Sequence, residues 1–164
     1  TQGGALLAPE NGTIDGQDDF DPSKTVVGYT PGTIWQTTVE GWAADGKIKE
    51  ARATGDQTES IVALQNGKID AFLTDSPVVE NLMKFQPETL KGLKLCSNYK
   101  DTEAEIGRIA PSVKFGNEDF MKDINKVVAE MRDEGVLDQI YEKYGLDPKL
   151  HAITNDQKDN GLNK

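Results

Sequence analysis

Apolar and polar positions fall into short blocks along most of the chain. Ala5-Leu6-Leu7 is a brief apolar stretch inside a Gly-, Asp- and Pro-rich first 24 residues, which predicts an extended segment followed by a surface loop. Thr25 to Tyr29 is rich in β-branched residues and predicts a strand; Thr30-Pro31-Gly32 predicts a turn. Thr33 to about Ala44 then predicts a helix, ending near Gly46. Lys47 to Ala53 alternates as a strand, and Thr58 to Asn66 predicts a helix closed by Gly67. Ile69 to Thr74 predicts a strand, and Ser76 to Phe85 a helix with Pro77 in its first turn. Leu93 to Ser97 and Glu105 to Ala110 read as further strands.

Strands alternating with short helices imply βαβ units. The expected fold class is α/β, a mainly parallel sheet flanked by helices, with a C-terminal helical pair. The first of that pair opens at Asn117, a candidate cap, with Glu118 and Asp119 suited to the helix dipole. Phe120, Met121, Ile124, Val127, Val128 and Met131 form its apolar stripe, Gly135 ends it, and Leu137 to Tyr144 forms the second helix, stopped by Gly145. Residues 147–164 are polar and aperiodic, a tail or linker. The expected division is 1–146, with 3–112 the α/β core and 117–145 the helices.

Composition narrows the function classes. The chain has 164 residues and a formal net charge of −10. That acidity argues against nucleic acid, which is bound through Lys and Arg, and against an anionic membrane surface. No segment approaches the ~18 apolar residues of a membrane span. Ala5 to Pro9 is too short for a signal core, so if the protein is exported its signal or anchor has been removed. The single Cys96 cannot form an intramolecular disulfide and reads as a strand thiol. No Ser/His/Asp, Cys/His or metal-ligand cluster is apparent, and no cofactor is implied. Lone His151 reads as a solvated side chain. Asn11 to Asp15 lacks the first and third ligands of an EF-hand, whose places fall on Leu7 and Pro9.

Two stretches carry candidate chemistry. In Gly28 to Ile34 a strand ends in a Gly-containing turn and a helix begins. Backbone N–H groups and the helix dipole converge there, which suits a small carboxylate, with the Thr33 hydroxyl as an extra donor. The alternative is that Thr33 only caps its own helix. In Ala63 to Pro77 a helix stops at Gly67, a strand follows, and Asp75 stands at the strand's C-terminal end, where open α/β sheets bind ligands. Asp75 is equally placed to cap the helix at Ser76-Pro77. Thr33 and Asp75 on one edge would suit a zwitterion. Asp70, at the strand's other end, reads as structural. Trp35 and Trp42 share a helix face and read as core, with Trp35 near enough to the turn to touch a ligand.

Four segments then resemble one family. Val26-Val27-Gly28-Tyr29-Thr30-Pro31-Gly32-Thr33 resembles the V-G-V-x-x-G-T strand-turn-helix of family 3 solute-binding proteins, and Ala63 to Ala71 resembles their A-L-x-x-G-x-x-D-A segment. Asp123 to Lys126 and Asp133 to Tyr144 resemble their C-terminal helices. The resemblance spans roughly residues 3 to 146 and implies the second lobe of a type 2 periplasmic-binding-protein fold. It implies a binding module rather than an enzyme: an extracytoplasmic component of an ABC transporter, associated with the membrane through a removed anchor or a fused permease. The implied partners are an amino-acid ligand, the transporter permease, and a missing first lobe or a second copy of the chain. The implied ligand-binding residues are Thr30, Gly32 and Thr33 for the carboxylate and Asp75 for the ammonium. Trp35 joins them by proximity.

The match departs from the family at Pro31 and Ile34, which remove one backbone donor and one hydroxyl. The first-lobe Arg and aromatic wall of the family have no counterpart here. Alternatives are the ligand-sensing domain of a membrane kinase, or a dehydratase-like relative in which Asp75 would be the one available acid or base. The stripe from Phe120 to Tyr144 is expected to be covered, either by this sheet or by a second chain.

Overall fold

The run Gly4–Pro9 is the first strand, β1, of a five-stranded sheet in a computed structural model that describes residues 2–102, 107 and 109–151. The described residues form two compact units, one within residues 3–102 and one within residues 107–151 together with Gln2. In the first, β1 is followed by β2 (Val26–Tyr29), α1 (Ile34–Ala44), β3 (Glu50–Ala53), α2 (Gln57–Gln65), β4 (Ala71–Asp75), α3 (Ser76–Phe85) and β5 (Leu93–Leu95).

The sheet order is β3-β2-β4-β1-β5. β2 pairs in parallel with both β3 and β4, whereas β1 runs antiparallel to β4 and β5. Four strands therefore share one direction, as the alternating pattern predicts, and β1 makes the sheet mixed. The N-terminal apolar stretch is more than a brief extended segment. Leu6 and Ala8 face one core and Ala5 and Leu7 the other, all buried, as an interior strand covered on both faces requires.

One core is closed by α1 through Trp35 and Val39, packed with Val27, Tyr29, Leu73 and Cys96. The other is closed by α2 and α3 through Ile61, Leu64 and Val79, packed on Phe72, Val26 and Ile69. Gly28 serves this second face, since a Cβ there would sit 2.5 Å from Ile69 Cδ1. α2 starts one residue before the sequence reading placed it, because Asp56 accepts the Glu59 amide at 2.9 Å as a true N-cap. Cys96 is buried just beyond β5, and burial pushes its thiol up to about 11.

The second unit contains α4 (Glu118–Asp133), α5 (Val136–Lys143) and α6 (Pro148–His151). Gly135 and Gly145 take φ of 72° and 86° at helix ends, the left-handed turn that glycine permits. Asn117 occupies the N-cap position of α4 without a side-chain cap bond, contrary to the role expected of it. The tail reading also needs correction. Asp147 and Pro148 start a helical turn, the Asp147 carboxylate accepting the Lys149 amide at 2.9 Å. That turn buries His151, 3% exposed, with its ring 6.4 Å from Tyr141, so this histidine is not solvated. Residues 152–164 lie outside the described residues. So does most of the strand expected at Glu105 to Ala110, of which Gly107 forms an isolated bridge with Gln2. No helix among the described residues is long and apolar enough to cross a membrane.

Candidate binding site at a strand-order switch

From β2 the chain passes through α1 on one face to β3, then through α2 on the other face to β4, on the far side of β2. The strand order reverses between β2 and β4. The connections leaving those two strands diverge to opposite faces and leave a crevice at the strands' carboxyl ends, the position where doubly wound sheets bind ligands. Tyr29, the last residue of β2, pairs with Leu73, and β4 runs two residues further to Asp75. Thr33, just past β2, and Asp75, the last residue of β4, consequently lie on the same edge.

On the β2 side, Gly32 has φ 80°, a conformation that glycine adopts freely, and Thr33 is the N-cap residue of α1. Its hydroxyl does not bond the helix's own amides and instead donates to the Thr30 carbonyl at 2.8 Å. The Gly32 amide donates to Gln36 Oε1 at 3.0 Å. Gln36 Nε2 in turn donates to Glu40 Oε1 at 3.0 Å, which also accepts the Tyr29 hydroxyl at 2.7 Å. That carboxylate, together with burial, raises the Tyr29 hydroxyl above its ordinary value. Two of the three donors expected for a ligand carboxylate are therefore held by acceptors within the protein. The first-turn amides of α1, at Ile34 and Trp35, have no partner within the helix.

On the β4 side, Asp75 is half-buried at the N-cap position of α3 but makes no cap bond to it. Its Oδ1 accepts the Trp35 indole N–H at 2.7 Å. Trp35 is 1% exposed, so it supports Asp75 from below and presents no face to a solute. Asp70 is structural, its carboxylate accepting the Val26 amide at 2.8 Å.

Sequence reasoning missed a second group at this edge. β1 runs antiparallel, so its first residues arrive beside the end of β4, and Gly4 pairs with Asp75. The Gly4 amide donates to both oxygens of Asp101, at 3.0 and 2.8 Å, and the Tyr99 hydroxyl donates to the same carboxylate at 2.8 Å. The Gly3-Gly4 pair was the available signal; nothing local marked an acid 97 positions away as its partner. Gln36 was legible in principle, since it stands four residues after Gly32, one helical turn. Two cavities, of about 730 Å³ beside β3 and α2 and about 400 Å³ below the starts of β2 and β4, include neither Thr33 nor Asp75 in their linings. No metal-ligand cluster occurs among the described residues.

Residues 23–147 match the family model of bacterial extracellular solute-binding proteins, family 3. The chain belongs to this family. It is 25% identical over 142 residues to a probable histidine-binding protein of Campylobacter jejuni, covering 87% of this chain and 51% of that protein. It is 28% identical over 142 residues to the L-cystine-binding protein TcyJ of Escherichia coli, covering 85% of this chain and 48% of that protein. Among solved structures, an ancestral arginine-binding protein bound to arginine superposes with TM-score 0.63 at 26% identity, covering 87% of this chain and 60% of that one. The chain thus spans about half the length of the curated relatives it matches.

Proposed function

We propose that the crevice between β2 and β4 binds the charged backbone end of an amino acid, as one half of the two-lobed, extracytoplasmic binding component of an ABC transporter. The observation that carries this reading is the reversal of strand order between β2 and β4. It sets a helix N-terminus on one side of a single crevice and the Asp75 carboxylate on the other. The carboxylate end of the ligand goes to the turn Thr30–Thr33 and the first amides of α1, and its ammonium goes to Asp75. Asp75 fits this role because its carboxylate spends no bond on capping α3. Family membership supports a binding role over catalysis, and the relatives named for histidine, cystine and arginine support an amino acid as the ligand class.

A second surface completes the clamp: the remaining lobe of a longer protein or a partner copy, with a permease beyond it. Closure of two such surfaces on a ligand draws its free energy from contacts with both. One surface alone binds weakly, with a Kd on the order of 1 mM. The test is an NMR titration of the chain with L-histidine, L-arginine and L-cystine. Shifts confined to residues 30–36 and 75–77 are expected; no shift there with any of the three overturns the reading.

A further inference from the structure

The geometry points to Trp35 as a positioning residue for the ligand's amine: its indole fixes the direction in which Asp75 offers its free carboxylate oxygen. This rests on the reading that Asp75 receives the ammonium, and it adds a residue that acts without touching the ligand.

An indole N–H can only donate, and a buried donor left without an acceptor is costly. Trp35 is 1% exposed, and its N–H is met by Asp75 Oδ1 at 2.7 Å. The bond therefore selects the rotamer of Asp75 as much as it satisfies Trp35. An aspartate at an N-cap would ordinarily turn toward the amides of its own helix. Asp75 instead turns toward α1, on the far side of the crevice, and makes no bond to α3. One oxygen is engaged and the other remains for a cation.

The indole is itself held at both ends. Its ring packs in the core with Val39, Tyr29 and Leu73. Its far edge abuts Gly4, where an added Cβ would lie 2.9 Å from Trp35 Cη2. Trp35 also stands two residues after Thr33 on the helix whose N-terminus faces the crevice. One rigid side chain thus ties the donor side of the site to the acid side, so both ends of a zwitterion meet groups at a fixed spacing, an arrangement that lowers the ordering cost of binding.

The experiment compares L-histidine and L-arginine with 3-(imidazol-4-yl)propionate and 5-guanidinopentanoate, which lack only the amine, by NMR titration of the wild-type chain and Trp35→Phe. The substitution keeps an aromatic ring in the core and removes the indole N–H with the rest of the five-membered ring. The expected result is at least tenfold weaker binding of an amino acid with the affinity of its deaminated counterpart within twofold of wild type. An equal loss for both members of a pair, or no loss for either, assigns Trp35 to packing alone and overturns the inference. If Trp35→Phe fails to fold, the indole proton of wild-type Trp35 replaces it. That proton should move with the amino acid and stay fixed with the deaminated compound; any other pattern is contrary. Wild-type protein binding neither amino acid overturns the amino-acid reading of the crevice itself, and this inference falls with it.

Discussion

Gly4 and Asp101 meet through the space that a side chain would fill. The Gly4 amide donates to both Asp101 oxygens, and a Cβ on Gly4 would lie 2.7 Å from Asp101 Oδ1, 2.8 Å from the Tyr99 hydroxyl and 2.9 Å from Trp35 Cη2. Gly4→Ala is expected to destabilise the protein by about 1–3 kcal/mol, the usual cost of overpacking. A melting temperature unchanged within 1–2 °C (roughly a quarter of the shift expected per kcal/mol for a unit of about 100 residues) would show that Asp101 swings away at no cost.

Gln36 presents an amide oxygen where a ligand carboxylate would bind, 3.0 Å from the Gly32 N–H. A ligand must displace it, and a hydrogen bond of this kind is worth about 0.5–1.5 kcal/mol net. Gln36→Ala should therefore strengthen amino-acid binding by about two- to tenfold. Weaker binding in the same NMR titration would mean that Gln36 contacts the ligand directly.

Cys96 is buried, with its Sγ 3.7 Å from the Ile14 carbonyl oxygen, and its thiol is raised to about 11 by burial. At pH 8 about one part in a thousand is thiolate, and thiolate is the reactive form. The native protein should resist a thiol-specific disulfide reagent over an hour, and one thiol should react at once in urea. Immediate native reaction would place Cys96 at the surface.

Asp15 and Asp21 have carboxyls below their ordinary value of 3.8, through hydrogen bonds from Ser97 and from Ser23 respectively, and Asp21 reaches about 2. The folded state favours their charged forms. Their stabilising contribution is therefore present above pH 4 and lost as pH falls through the folded values. Asp15→Asn with Asp21→Asn should lower the melting temperature slightly at pH 7, and the gap to wild type should narrow between pH 4 and pH 2. A gap that widens on acidification would reverse the sign.

Phe120, Val127 and Ile140 are 55%, 53% and 41% exposed on α4 and α5, and α4 has no buried residue. An apolar stripe of this length is expected to acquire a cover. Sedimentation at rising concentration should show self-association of the chain, and Val127→Glu should abolish it. A strictly monomeric chain at millimolar concentration would rule out the second copy as that cover.

The positions and kinds of the helices were legible because they depend on near neighbours. Gly32, Gly67, Gly135 and Gly145 all take the left-handed φ that their places after strand or helix demand. The Trp35/Trp42 spacing marks the helix face packed on the core, and Pro77 sits in the first turn of α3. The four family-like segments and the acid at the end of β4 were legible for the same reason. Where local chemistry was read too simply, the structure departs. Asn117 takes a cap position without a cap bond, and Asp147-Pro148 starts a turn that buries His151.

Strand order was not legible, because a strand's periodicity tells which face it buries and not which strand lies beside it. That β1 would insert between β4 and β5, and run against them, depends on pairings such as Gly4 with Asp75 and Leu7 with Leu95. Those long-range contacts placed the switch between β2 and β4, brought Asp101 to Gly4, and set the Trp35 indole against Asp75. The sequence by itself determined the parts of the site and the ends of the strands on which they stand. The tertiary structure decided which parts meet, because only closing the sheet brings groups 40 and 97 residues apart within hydrogen-bonding distance.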